Sequence, residues 1–425
     1  MKAIKLMLFA PCLLLAATVH AQNLTELQRA ALVHRDLVKT YEAIVDQQVQ
    51  NIREVRGNFL PSVDFSYTLN RLRDNSLTAL EYKQNDRFLG SITWNIFAGF
   101  KDNFDLKTAR VNEEIDRLSL NAVKQDIFLN TALLMLEVYR NQANQKVAED
   151  AVALYRDRHR EVALKHQVGI LTKSDLLRIK VELDNAEQEA RRAKASVQKS
   201  VNALMRETGE EISLETLDFS CLENLPEKKD YAEMEAMLLK NRSELLALEK
   251  AIAAARFQVQ SAKAQLYPRA DVSANYRKLD FDDYYFGSSD LQEDDMRLQA
   301  TVSINIFDGL KKYSRIRHAR IEEKKSEYDR NELENTLKTQ LHNTLLDLEV
   351  AFDNLQVARS SRAEAEENLR VTDLAFKQGL NTSSDILDAI FYLSRARFNV
   401  ISAYTQVFGS HFELQRQTEG FDVSP

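Results

Sequence analysis

The chain has 425 residues, of which 44% are hydrophobic and 28% charged, with a formal net charge of −7. That mildly acidic balance provides no basic stripe for phosphates, so nucleic acid is not an expected partner. Only 10 Gly and 5 Pro occur. Both residues punctuate loops, so their scarcity predicts few loops and long uninterrupted elements.

The first residues carry an address. Lys2 and Lys5 precede the apolar run Leu6 to Val19, and Val19-His20-Ala21 has the small-residue form of a signal-peptidase site. The run is shorter than the ~20 residues that a spanning helix needs, and Pro11 interrupts it. Residues 1–21 are expected to be an export signal. Cys12 is expected to leave with it, making Cys221 the only cysteine and ruling out a disulfide within the chain.

A helix is expected over 22–57. After Gly57 the period changes from helical to two. Val63, Phe65, Tyr67 and Leu69 alternate with Ser62, Asp64, Ser66, Thr68 and Asn70, and Phe88, Ile92, Trp94 and Ile96 with Leu89, Ser91, Thr93 and Asn95. These strands form an expected hairpin over 58–100. A long helical hairpin follows over 101–207, with its tip at 168–172. Next come a connecting segment at 208–232 and a second helix at 233–266.

The strand pattern then returns over 267–310. Ala270, Val272, Ala274 and Tyr276 oppose Asp271, Ser273, Asn275 and Arg277, and Leu298, Ala300, Val302, Ile304 and Ile306 oppose Gln299, Thr301, Ser303 and Asn305. A second long helical hairpin is expected over 311–420, with its tip at 378–382. Neither long helix contains Gly or Pro between Phe100 and Val168 or between Leu310 and Gln378, so each would reach roughly 100 Å. Leu341, Leu345, Leu348, Phe352, Leu355 and Ala358 have the spacing of a coiled-coil seam, as do Leu129, Leu133 and Leu136.

The chain is thus an internal duplication. Asn95-Ile96-Phe97-Ala98-Gly99 recurs 210 residues later as Asn305-Ile306-Phe307-Asp308-Gly309, and Gly169 recurs at the same offset as Gly379. Each glycine precedes a capping-box pattern, Thr172 to Asp175 and Thr382 to Asp385, so each is expected at a hairpin tip.

Each strand has about the 9–11 residues that a tilted strand needs to cross a bilayer, and one face of each is apolar. A soluble sheet alternates in the same way. Four matched strands behind an export signal, with no other sheet to pair with, favour the membrane. Four strands cannot close a barrel, and open edges in lipid would leave backbone groups unsatisfied, so several copies must share one barrel. Of the loops between paired strands, the acidic one at 280–295 reads as solvated surface. A divalent-cation or lipopolysaccharide contact is the sharper alternative.

No catalytic site, cofactor or metal site is expected. The seven His are scattered without an H-E-x-x-H arrangement, and no Gly-rich phosphate loop occurs. His159 and His166 read as solvated. A periplasmic coiled-coil adaptor or scaffold is the alternative to a channel, but adaptors need glycine-rich β domains.

The chain resembles the TolC family of outer-membrane factors over essentially all of its mature length. The likeness rests on the duplication, the Asn-Ile-Phe-x-Gly strand ends, Val168-Gly169-Ile170, Gln378-Gly379-Leu380 and Asp385-Ile386-Leu387-Asp388-Ala389. It implies a mainly α fold with a membrane β-barrel part: a homotrimer whose four strands per protomer form a twelve-stranded barrel in outer-membrane lipid, above a helical tunnel crossing the periplasm. It implies an export duct of a tripartite efflux pump or type I secretion system. A periplasmic adaptor would dock at Val168, Gly169, Ile170, Gln378, Gly379 and Leu380, linking the duct to an inner-membrane pump or ABC transporter that selects the cargo.

Asp385 and Asp388 share a helix face, and three copies would ring the mouth with six carboxylates, making it cation-selective. Asp385 also belongs to a cap. Asp388 does not, and its counterpart in the first copy is Arg178, so Asp388 is the stronger gate candidate. Phe376 and Asn381, which flank the second tip, offer no charged latch.

Overall fold

The computed structural model describes residues 22–71, 84–282 and 294–423. The export signal expected at 1–21 and most of the acidic loop at 280–295 lie outside them. Among these residues eight α-helices and four strands run in the order α1 (Leu24–His34), α2 (Asp36–Gly57), β1 (Ser62–Arg71), β2 (Gln84–Ala98), α3 (Lys101–Gln167), α4 (Lys173–Thr208), α5 (Tyr231–Asn241), α6 (Ser243–Lys263), β3 (Arg269–Asp282), β4 (Asp294–Ser303), α7 (Lys311–Lys377) and α8 (Ser383–Gln417).

Three of these elements depart from the sequence reading. The helix expected over 22–57 is two helices broken at Arg35, and the one expected over 233–266 is broken at Arg242. Both arginines leave the helical conformation and are tied to another element. Arg35 pairs with buried Glu207 at 3.5 Å, and Arg242 donates to the Arg416 carbonyl at 2.7 Å. The last strand, which alternation carries to Ile306, stops at Ser303, because among the described residues of the protomer no strand lies beside 304–308.

Antiparallel strands form one sheet in the order β1-β2-β3-β4. The two hairpins share one register: Ser62↔Thr93 becomes Arg269↔Ser303, and Arg71↔Gln84 becomes Lys278↔Asp294. Between the copies, residues before each hairpin loop are therefore offset by 207 and residues after it by 210. The helix breaks obey the first offset, since Arg35 maps onto Arg242. One face of the sheet is a continuous apolar surface, with Val63 beside Ile92, Trp94 beside Val272 and Ala270 beside Val302. Phe65 stacks edge-on against Phe88, with ring centroids 4.3 Å apart.

Each hairpin turns into its long helix through two consecutive left-handed residues, Gly99-Phe100 and Gly309-Leu310, with φ between 64° and 71°. A side chain in that region costs about 1–2 kcal/mol. Phe100 offsets the cost by stacking on Phe97 and Tyr267. The helices α3 and α7 are 67 residues each, which at 1.5 Å per residue is about 100 Å. On the strand side α2 and α6 pack beside them; on the far side α4 and α8 do. The core is a thin seam. Leu341, Leu348, Leu355 and Ala358 of α7 are buried against α5 and α8, whereas Leu345 and Phe352 only border that cluster. Among the described residues, no helix is long and apolar enough to cross a membrane.

Midway along the long helices, α3, the break at Arg242, the start of α6 and the chain's last turns close around Arg416. This side chain is 4% exposed as a residue and pairs with Asp126 of α3 at 2.5 Å and Glu244 of α6 at 2.6 Å. Burial alone would raise the Glu244 carboxyl, but Arg242 and Arg416 outweigh it and hold the group below its ordinary value.

Candidate functional site at the hairpin tips

Opposite the sheet, α3 passes to α4 and α7 to α8 through matching turns. The Gly169 and Gly379 backbones both sit at φ +77°, and a Cβ on either would meet nothing, so glycine is there for its backbone freedom. Ile170 N–H donates to the Lys165 carbonyl and Gly169 N–H to His166; Leu380 and Gly379 donate to Ala375 and Phe376 in the same way. This is the Schellman pattern, which satisfies the orphan carbonyls of a helix end. The turns hold Val168, Ile170 and Leu380 out in solvent, each at least 69% exposed. His166, read as solvated from sequence, instead places Nδ1 2.9 Å from the Leu171 carbonyl and helps close the first turn.

Both second helices start at a capping box. Asp175 N–H donates to Thr172 Oγ1 at 3.2 Å, and Thr172 N–H returns to the Asp175 carboxylate at 3.1 Å. Thr382 and Asp385 repeat this at 3.3 and 2.8 Å. The Thr172 hydroxyl holds the Asp175 carboxyl below its ordinary range, and the Thr382 backbone N–H and hydroxyl do the same for Asp385.

Asp388 is different. It is exposed on the next turn of α8, and no cap claims it. Its charge is felt by Tyr155 of α3, whose hydroxyl is pushed up to about 12 by burial first and then by Glu182 and Asp388. Glu182 of α4 thus belongs to the same acidic neighbourhood, which the sequence alone did not reveal. A groove of ≈ 560 Å³ runs from there between α4 and α8, floored by Ala148, Ala151 and Tyr155.

The structure supplies the charged contact that was missing beside the second tip. Phe376 is buried, and Lys165 of α3 lies over its ring at 4.0 Å from the centroid while donating to its carbonyl at 3.3 Å. Lys165 also pairs with Glu161 at 3.1 Å. Arg158 bridges Glu161 to Asp373 of α7, and Lys377 closes the set on Asp373 at 2.8 Å. One turn-to-turn polar clamp therefore ties the end of α3 to the end of α7. Each of its members sits in a charged helix where every turn offers similar residues, and the two contacts that cross between the helices, Lys165 to Phe376 and Arg158 to Asp373, join positions more than 200 apart. No local sequence signal marks them. Among the described residues, no group of three or more His, Cys, Asp or Glu is placed to hold a metal ion.

Residues 27–210 and 236–416 match the family described as outer membrane efflux protein, one match per copy of the duplication. No curated protein matches the sequence. Among solved structures, a membrane protein from Pseudomonas aeruginosa is similar at 14% identity and TM-score 0.79, over 93% of each chain. The outer membrane protein VceC from Vibrio cholerae aligns at 16% identity and TM-score 0.76, over 93% of this chain and 95% of its own. The open state of the MtrE outer membrane channel from Neisseria gonorrhoeae aligns at 15% identity and TM-score 0.72, over 93% and 88%. At such identities the likeness establishes the fold.

Proposed function

The chain belongs to the outer membrane efflux protein family and is an export channel of the Gram-negative outer membrane, and we propose that three copies build it around a gate at Asp388. The observation that carries the proposal is the sheet: one apolar face and two outer edges, of β1 and β4, beside which no strand lies among the described residues, continuous with helices of about 100 Å. Edges of this kind are tolerated in lipid only when another strand covers them. Three copies of four strands give a twelve-stranded barrel, within the range of known membrane barrels.

The tips then face the periplasm together. Val168, Ile170 and Leu380, on turns opened by Gly169 and Gly379 and flanked by Gln378, form the apolar knuckles on which a periplasmic adaptor docks. That adaptor couples the duct to an inner-membrane pump or ABC transporter, in a tripartite efflux pump or a type I secretion system. Asp388 rings the mouth, with Asp385 behind it in its cap. The family is one of channels, and nothing in the fold favours a scaffold without a pore.

Planar-bilayer recording of the purified protein beside Asp388→Asn tests the gate. Small cation-selective openings are expected, becoming larger or less cation-selective in the variant. Openings unchanged by the substitution would move the constriction away from Asp388.

A further inference from the structure

We propose how one copy joins the next: residues 304–308 extend β4 by pairing with the start of β1 of the neighbouring copy, with Ile304 opposite Phe65 and Asn305 opposite Asp64. This pairing rests on the reading that several copies share one barrel, and it specifies the partner and register at that joint.

The internal duplication supplies the template. Inside the protomer, β2 is paired to Ala98 because β3 lies beside it, in the register Trp94↔Val272 and Asn95↔Asp271, with a bulge at Ile96 and then Phe97↔Ala270. The shared hairpin register maps β2 onto β4 and β3 onto β1. Carried across, these β2–β3 pairs become Ile304 opposite Phe65, Asn305 opposite Asp64 and Phe307 opposite Val63 of the next copy, with Ile306 as the bulged residue.

Three observations mark the absence of that partner within one chain. First, β2 has 15 residues and β4 has 10, and the missing five are the counterparts of Trp94 to Ala98. Second, a Cβ on Gly99 would run into the Ala264 carbonyl oxygen, whereas one on Gly309 meets nothing. The counterpart of Ala264 is Gly57, which the neighbour would bring. Third, Phe100 packs edge-on against Tyr267, the two remaining 52% and 54% exposed, and their counterparts Leu310 and Leu60 are barer still, at 59% and 67%. Ile306 and Phe307 are bare as well, at 89% and 75%. The exposed pieces on the two edges are the two halves of a joint that already exists once inside the chain.

Side-chain parity supports the same register. It places Val302 beside Tyr67 and Ile304 beside Phe65 on one apolar face. A one-residue slip would set polar side chains against that face along the whole joint, so only slips of two remain to be excluded.

Oxidative cross-linking of the full-length chain in outer membranes, in a Cys12→Ser, Cys221→Ser background, tests the pairing. Ile304→Cys with Phe65→Cys should form intersubunit disulfides at least roughly fivefold more than Ile304→Cys with Val63→Cys or Tyr67→Cys, because diagonal neighbours are too far apart to bridge readily. Ala300→Cys with Leu69→Cys, two pairs further along, gives an independent reading if the first pair fails to assemble. Stronger linkage through Val63 or Tyr67, or no linkage from either expected pair in an assembled channel, overturns the pairing. A cysteine-free chain that never assembles overturns the shared barrel itself, and the joint with it.

Discussion

Asp175 and Asp385 look alike in sequence and do the same work in the structure: each accepts from the threonine three residues before it. Their carboxyls are held below the ordinary value of 3.8. A depressed carboxyl contributes stability that is full above its unfolded value and is lost as pH falls through the folded one. The protection factors of the tip amides, with the intrinsic pH dependence of exchange divided out, should therefore hold steady down to about pH 4 and fall only below it; protection already lost near neutrality would place the control elsewhere. The clamp makes a separate prediction. Lys165→Met keeps an apolar stem over Phe376 but removes the cation, the bond to its carbonyl and the Glu161 pair. The loss should be about 1–2 kcal/mol, with larger or more frequent openings in a bilayer. Phe376→Ala, which empties a site only 2% exposed, should cost about 3–5 kcal/mol by chemical unfolding. The caps were legible because they are local patterns. The clamp was not, because Lys165 and Phe376 meet only after two halves of the chain have folded together.

At the level of elements, composition revealed the long helices because a run without Gly or Pro has few ways to end. The breaks at Arg35 and Arg242 escaped for the complementary reason: neither carries a helix-breaking residue, and the side-chain ties to Glu207 and to the Arg416 carbonyl hold each bend in place. The end of β4 escaped because alternation continues through Ile306 while the partner strand does not. The seam between the halves is where these elements depend on one another most. Arg416→Met would remove the cation shared by Asp126, Glu244 and Glu419, leaving Glu244 with Arg242 alone. Breaking a buried pair from one side costs about 3–5 kcal/mol, and Asp126, largely exposed, places the expected loss toward the lower end. Glu244 adds a pH dependence. Its carboxyl is depressed, so its contribution is complete above the ordinary value of 4.5 and disappears as pH falls through the folded value. Unfolding midpoints of wild type and Arg416→Met should converge in acid and stay apart at neutrality; a constant gap would show that the arginine acts through packing alone.

For the whole molecule, the equality of the two copies is itself a constraint. Both long helices start at a left-handed pair and run 67 residues to a glycine tip, so Gly169 and Gly379 arrive at the same level, about 100 Å from the sheet. A ring of tips in one plane is the surface that an adaptor docking on both sets of tips needs. Shortening tests whether that level matters. Removing a heptad of α3 around Asn141 and the facing heptad of α4 around Ser196, which touch across the hairpin, withdraws the first tip by roughly 10 Å while nearly preserving each helix face. The barrel lies far from the cut, so heat-sensitive oligomers should still form. Export in cells should fall to the level of a deletion strain, because half the docking ring is out of reach and Lys165 no longer meets Phe376. Removing equivalent heptads from α7 and α8 as well restores the common plane, and with it the clamp register. Export should then recover at least in part, limited by the shorter reach across the periplasm. If the singly shortened chain exports normally, docking does not need both sets of tips. If the doubly shortened chain assembles, conducts in a bilayer and still fails in cells, the absolute length of the tunnel, and not the matching of its two halves, is what the periplasm measures.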